Sequence, residues 1–344
     1  MVGITGSVGK TSTKETIAAV LSQKYKVLKT QGNFNNEIGL PLTIFRLTEE
    51  DEIAVLEMGI SDFGEMTRLS EMVQPTICVL TIIGECHLEN LGDRDGVLKA
   101  KTEMFKNACE NADFILNGDD DKLSTVKTVN GKKPVFFGLD AKNDFYAKNI
   151  KNSGDGKVLA TLCFDNNNID VEIPAIGTYM VTNALAAAAA GKLLGLTDEE
   201  IANGVASYKT VGSRANVINT GKIKIIDDCY NANPTSVRAS LDTLSNLDGR
   251  KVAILGDMKE LGSEELKLHF DTGVYAKSKD IGTVITVGEL AKELAKGADG
   301  KAFDTIEDAK SEILKTIKSG DVVLVKASHS MQFENIVEFL KQNF

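Results

Sequence analysis

One short stretch, Val-Gly-Ile-Thr-Gly-Ser-Val-Gly-Lys-Thr over residues 2–11, constrains the fold more than any other part of the chain. Val2 to Thr5 read as an apolar strand, and the residues behind them read as a loop that opens a helix. The familiar phosphate-loop spacing G-x-x-x-x-G-K-[ST] would need glycine where Ile4 stands. A shorter G-x-x-G-K-[ST] is present instead: Gly6, Ser7, Val8, Gly9, Lys10 and Thr11, with Ser12 next in line. The physics is the same at either spacing. Glycines let backbone N–H groups converge on an oxyanion, and the helix adds its own unpaired donors and roughly half a positive charge. A lysine about 4 Å from a phosphate contributes a gross attraction of about 4 kcal/mol at intermediate dielectric. Thr11 is placed to hold Mg²⁺. A glycine-rich turn that binds nothing is the competing reading, and Gly-Lys-Thr directly after an apolar strand favours a nucleotide.

The text around this loop alternates short apolar runs with helical periodicity. Runs at 2–5, 26–30, 53–59, 76–82 and 113–117 read as strands; 11–24, 64–73 and 95–109 read as helices. Such alternation means a mostly parallel, doubly wound sheet with helices on both faces. Residues 134–176 read as an antiparallel meander of four runs added to it, with Phe164–Asp170 as a hairpin turn. An alanine-rich helix over 181–195 follows, then another from Thr197. Near Val211 the α/β pattern restarts, with strands at 222–228, 251–257, 283–288 and 321–327 and helices near Pro234, Gly262, Glu289, Thr305 and Met331. The expected domains are therefore 1–211, α/β with a phosphate loop, and 212–344, a second Rossmann-like α/β unit.

Composition removes several alternatives. A formal net charge of −10 argues against a nucleic-acid surface. No apolar run approaches a membrane span and no charged-then-apolar leader opens the chain, so a soluble cytosolic protein without membrane insertion is expected. Cys78, Cys86, Cys109, Cys163 and Cys229 show no metal or disulfide spacing and read as reduced thiols.

Three residues are candidates for a metal site. Glu57 closes an apolar strand, where a carboxylate either reaches toward phosphates or caps a neighbouring turn. His87 lies in a loop beyond the fourth strand, as a ligand or as an ordinary loop residue. Lys101 sits on a helix, where a solvated lysine is the plain reading. Functional use beside Mg²⁺ would require carbamylation by CO₂, which turns the cation into an anionic oxygen ligand.

The stretches GSVGKTSTKE, GNFNNEIGLPLT, VLEMG, HLENLG, AKTEMF, DDCYNANP, GDMKELG and VLVKAS follow one another in the order seen in Mur ligases, and the chain resembles that family from Gly3 to about Val337. The resemblance is to the branch that adds D-alanyl-D-alanine to UDP-N-acetylmuramoyl-tripeptide in peptidoglycan synthesis, using ATP and Mg²⁺ through an acyl phosphate. It implies that Gly6 to Ser12 hold ATP phosphates, with Lys10 also acting in catalysis. Glu57 and His87 would bind Mg²⁺ beside Thr11, and Lys101 matches the carbamylated lysine. Asn183, Arg214 and Asp228 match nucleotide contacts, Asp228 at the ribose. Asn33, Asn35 and Asn36, with Tyr230 and Asn231, match positions toward the substrate, and Lys326 and Ser328 lie where the dipeptide docks. Asn231 and Asn233 ahead of Pro234 also read as a helix start.

Three departures stand out: Thr178, Tyr179 and Met180 before Asn183, His329 in place of a common arginine, and Ile82 in place of a common asparagine. Mur ligases also carry an N-terminal domain for the uridine nucleotide ahead of the ATP strand. With that strand at Val2, the expectation is a chain without it, and a monomer. Competing readings are a folylpolyglutamate-synthetase-like amide ligase, a nucleotide-driven switch or motor, and an ATP-binding remnant without turnover.

Overall fold

The computed structural model describes residues 1–153 and 156–344. They form two compact units, Met1–Ser153 with Lys157–Lys209, and Thr210–Phe344.

In the first unit, strands β1 (Val2–Thr5), β2 (Val27–Lys29), β3 (Ile53–Glu57), β4 (Ile77–Leu80), β5 (Asp113–Asn117) and β6 (Val135–Phe137) form one sheet in the order β2-β3-β1-β4-β5-β6. Every pairing in it is parallel. Helices α1 (Lys10–Leu21), α2 (Gly39–Ile44), α3 (Glu65–Val73), α4 (Leu88–Leu91) and α5 (Arg94–Thr102) connect these strands. Alternate strand residues feed two cores, as a sheet buried on both faces requires. Ile4, Val55, Val79 and Ile115 pack on one side, and Leu56, Leu80 and Leu116 on the other.

Antiparallel strands β7 (Tyr146–Ser153), β8 (Lys157–Phe164) and β9 (Asn167–Ile173) follow, then α6 (Tyr179–Leu193) and α7 (Asp198–Ala206). The alanine run of α6 is buried beside α1 and the meander in the first core. The hairpin turn falls on Asp165 and Asn166, both with positive φ, the requirement of a tight two-residue connection.

Two expectations need correction here. The run 134–138 does not join the meander: Val135–Phe137 pairs in parallel with β5 and closes the main sheet. The helix expected over 95–109 ends at Thr102 and tightens into a 3₁₀ turn at Glu103–Asn107. The Thr102 hydroxyl donates back to the Leu98 carbonyl at 2.8 Å, a local competitor of helical bonding.

The second unit holds β10 (Asn216–Asn219), β11 (Lys224–Asp227), β12 (Arg250–Gly256), β13 (Thr283–Val287), β14 (Lys301–Phe303) and β15 (Asp321–Lys326), ordered β10-β11-β15-β12-β13-β14. Only β10 runs antiparallel to its neighbour, β11. Helices α8 (Pro234–Ser245), α9 (Glu265–Ser278), α10 (Ala291–Ala298), α11 (Ile306–Thr316) and α12 (Glu334–Asn343) cover the sheet. The last begins three residues after Met331, because a short 3₁₀ turn and Gln332 at positive φ intervene.

Candidate active site

Gly6 and Gly9 turn the chain from β1 into α1 at φ 152° and 86°. A Cβ on Gly6 would stand 1.9 Å from the Thr81 hydroxyl, so the loop can pass β4 this closely only as glycine. The N–H groups of Lys10, Thr11 and Ser12 lie in the first helical turn and have no intrahelical acceptor. Lys10 Nζ donates to the Gly6 carbonyl at 2.8 Å, which folds the ammonium back over the loop.

Ser7 is tied differently from its neighbours. Its N–H donates to the Ile82 carbonyl at 2.7 Å, while its hydroxyl donates to the Gly84 carbonyl and accepts from the Gly84 N–H at 2.9 Å. The Cys86 thiol also donates to it at 3.0 Å. Thr81 holds the Val8 carbonyl at 2.6 Å. Ser7 and Val8 thus join the loop to the segment that leads to His87, with the Ser7 N–H and hydroxyl and the Val8 carbonyl engaged by the chain itself.

Glu57, at the carboxyl end of β3, is buried and meets three donors. The Thr11 hydroxyl donates to Oε2 at 2.8 Å and the Asn35 amide to Oε1 at 2.8 Å. Lys14, one helical turn beyond Lys10, places its ammonium 4.0 Å from Oε2. Lys14 is itself only 1% exposed, and it donates to the Thr30 carbonyl at 2.7 Å and pairs with Glu15 at 2.9 Å. Nothing in the sequence reading singled out Lys14. Its spacing from Lys10 and Thr11 puts it on their helix face, the one signal that could have found it.

Of the three asparagines expected to face a substrate, two have side-chain partners within the chain. Asn35 is on Glu57, and the Asn36 side chain accepts from the N–H groups of Ile38 and Gly39, starting α2. Asn33 is exposed. Asn183 lies against α1, its carbonyl oxygen accepting from the Thr13 hydroxyl at 3.0 Å and its amide donating to Met180 Sδ at 3.4 Å. Met180 is therefore a packing partner of Asn183.

Lys101 is 1% exposed, and its ammonium makes no ion pair among the described residues. Burial pushes its pKa down to about 8; a nearby Cys86 opposes the drop and Lys10 adds to it. His87 is half-buried and leads into α4 at φ 53°. No group of three or more His, Cys, Asp and Glu side chains among the described residues is placed to hold a metal. The donors that do converge, the Thr11 hydroxyl and the Glu57 carboxylate, are hard oxygens. That chemistry suits Mg²⁺, which keeps several waters and takes one or two carboxylates plus phosphate.

In the second unit, Asp228 is locked by its own unit. Lys326 Nζ meets Oδ2 at 2.6 Å, the Ser240 hydroxyl donates to the same oxygen at 2.6 Å, and the Ala215 N–H donates to Oδ1 at 3.1 Å. Lys326 also donates to the Asn231 carbonyl at 3.0 Å. The sequence points Asp228 to a ribose and Lys326 to a dipeptide, and in this structure the two side chains also pair with each other. The Arg214 guanidinium lies 3.6 Å from the Tyr230 ring centroid, and Tyr230 lies 5.8 Å from the His329 ring. Ser328 accepts the Lys259 N–H at 2.9 Å. Asn233 caps α8 with Pro234 at its first position, as the sequence implied.

Buried His269 escaped the sequence reading. Its Nε2 accepts the Met258 N–H at 2.9 Å and its Nδ1 faces the Glu265 carbonyl at 2.7 Å, which fixes a neutral ring donating through Nδ1. Burial lowers its pKa against the pull of Asp257 and Glu265.

A shortened phosphate loop feeding a parallel sheet, followed by a second α/β unit, defines a two-unit P-loop architecture. The family profile for the Mur ligase middle domain matches residues 4–191, and that for the Mur ligase, glutamate ligase domain matches 213–329. The chain belongs to the Mur ligase family.

Among its relatives is the UDP-N-acetylmuramoyl-tripeptide--D-alanyl-D-alanine ligase of Bacillus subtilis, 38% identical over 99% of this chain and 75% of its own length. MurF from Acinetobacter baumannii superimposes with a TM-score of 0.94 at 31% identity, over 99% of this chain and 76% of its own. MurF ligase from Thermotoga maritima, solved in complex with ADP, gives 0.91 at 31% identity, over 99% and 79%. The chain thus spans about three quarters of the length of these proteins.

Proposed function

We propose that this chain is an ATP-dependent amide ligase that joins D-alanyl-D-alanine to UDP-N-acetylmuramoyl-tripeptide in peptidoglycan precursor synthesis. The observation that carries the reading is the Thr11–Glu57 contact at 2.8 Å, beside a phosphate loop whose first-turn N–H groups are unpaired. Relatives of this name cover the chain almost from end to end.

A carboxylate resists attack by an amine because its carbon is electron-rich and oxide is a poor leaving group. Transfer of the γ-phosphoryl of ATP to the tripeptide carboxylate gives an acyl phosphate and ADP. The dipeptide amine then attacks the acyl carbon, phosphate leaves, and the amine loses a proton. Backbone donors from Gly9 to Ser12 and the Lys10 ammonium stabilise charge spreading over the moving phosphoryl oxygens. Thr11, Glu57, His87 and carbamylated Lys101 would hold Mg²⁺, which supplies charge neutralisation at the phosphates. Lys101 suits carbamylation: with its pKa near 8 a useful fraction is neutral amine, and Nζ attack on CO₂ with loss of one proton leaves an anion. Asn183, Arg214 and Asp228 are assigned to the nucleotide. Asn33, Tyr230, Asn231, Lys326 and Ser328 are assigned to the acceptor substrates. The enzyme acts in the cytoplasm as a monomer.

Phosphate release with and without each acceptor tests this reading against Lys10→Ala. The account expects release only when both acceptors are present and its loss in the variant. Equal release without acceptors would indicate a switch or motor, and glutamate with a folate acceptor would indicate the folylpolyglutamate-type reaction.

A further inference from the structure

Asn35 sits in a loop whose sequence suggests substrate contact, yet both of its polar ends are spent on β3 and the residues just beyond it. Its side-chain amide donates to Glu57 Oε1 at 2.8 Å, and its backbone carbonyl accepts the Gly59 N–H at 2.8 Å. A Cβ on Gly59 would come within 3.1 Å of the Asn35 amide group, so the loop is seated tightly there. The other oxygen, Oε2, points to Thr11. The carboxylate is therefore clamped at both ends, by the phosphate-loop helix on one side and by the asparagine loop on the other. Its backbone N–H is fixed as well, donating to the Thr30 hydroxyl at 3.0 Å.

We propose that Asn35 is a positioning residue that fixes the rotation of the Glu57 carboxylate for a divalent cation, and does not itself contact the substrate. The inference rests on the proposed function, since it assumes that Glu57 binds the cation. Thr11 must turn its hydroxyl away from Glu57 to share a metal with it, and the bond to Oε1 then keeps the carboxylate from following. Without the amide the carboxylate is free to rotate toward the Lys14 ammonium, 4.0 Å from Oε2. Partners of metal-binding carboxylates are commonly worth 10–100-fold in affinity.

The test is Mn²⁺ binding to the chain in the presence of ADP, followed by the electron-spin signal of free Mn²⁺. Asn35→Ala should weaken Mn²⁺ binding about 10–100-fold. Metal-free ADP affinity and the melting temperature should stay near those of the unaltered chain. Asn33→Ala should leave Mn²⁺ affinity unchanged. Asn35→Ser, which keeps a polar group too short to reach Glu57, repeats the test should the alanine variant fold poorly. Mn²⁺ affinity within twofold of the unaltered chain in a folded variant would overturn the proposal. So would a parallel loss of ADP affinity and melting temperature, which would mark a general role in the loop. If the unaltered chain and Glu57→Gln bind Mn²⁺–ADP equally, it is the proposed function that fails at this site.

Discussion

Lys101 in the first unit and Lys326 in the second are both almost wholly buried, at 1% and 3% exposure, yet their surroundings are opposite. Lys326 has a carboxylate at 2.6 Å and a backbone carbonyl at 3.0 Å. Lys101 has no ion pair among the described residues, and its titratable neighbours are a thiol and another ammonium. Burying an ammonium without a counter-charge costs several kcal/mol, which favours the neutral amine or a derivative of it. Burying one against an aspartate builds a fixed structural unit. The same contrast separates the two carboxylates: Glu57 holds a hydroxyl that a cation can displace and has its nearest ammonium 4.0 Å away, whereas Asp228 has an ammonium at 2.6 Å.

The largest expected effect breaks the comparison on the Lys101 side. Lys101→Met should lower turnover about a thousandfold, on the scale of losing a transition-state charge stabiliser, while the melting temperature holds or rises. A variant that is active, or one that melts well below the unaltered chain, would contradict the contrast. Next comes the opposite case: Lys326→Met leaves Asp228 without its counter-charge and should cost about 3–5 kcal/mol in urea unfolding.

His269 sharpens the comparison with a third solution, a buried base kept neutral. The unfolded chain protonates this ring near pH 6.5, and the folded chain resists protonation. Stability should therefore fall as pH drops below about 6.5 until the folded ring titrates, with a slope of at most about 1.4 kcal/mol per pH unit. His269→Gln, which keeps an acceptor for the Met258 N–H, should flatten that part of the stability–pH curve. The smallest effect is a control without charge: Asn233→Ala removes the cap of α8 and should cost about 1 kcal/mol, with no pH dependence between 5 and 8.

Much of the fold was legible because it rests on local pattern. Short continuous apolar runs marked the strands at 2–5, 53–57 and 321–326, and Asn-Pro marked the start of α8. The strands that escaped, Asn216–Asn219 and Lys301–Phe303, are short, lie at sheet edges and carry polar ends, so no periodicity develops. Val135–Phe137 was seen as a strand but given the wrong partner, since three residues carry no sign of parallel or antiparallel pairing.

The candidate site divides the same way. Gly6 to Thr11 announce themselves, because close backbone approach to a phosphate demands particular residues in sequence order. The Asp228–Lys326 pair spans 98 residues, and the Asn35–Glu57 bond joins a loop to the end of β3. Their geometry comes from sheet order, which no local run of residues encodes. Lys14 was missed for a related reason: a lysine on a helix reads as solvated until the sheet closes over it.

The most direct test of the contrast is ¹³C NMR of the chain equilibrated with ¹³C-bicarbonate, alongside Lys101→Arg and Lys326→Arg. The account predicts a carbamate resonance that persists in Lys326→Arg and disappears in Lys101→Arg. A spectrum without that resonance, or one in which it survives Lys101→Arg, would contradict it.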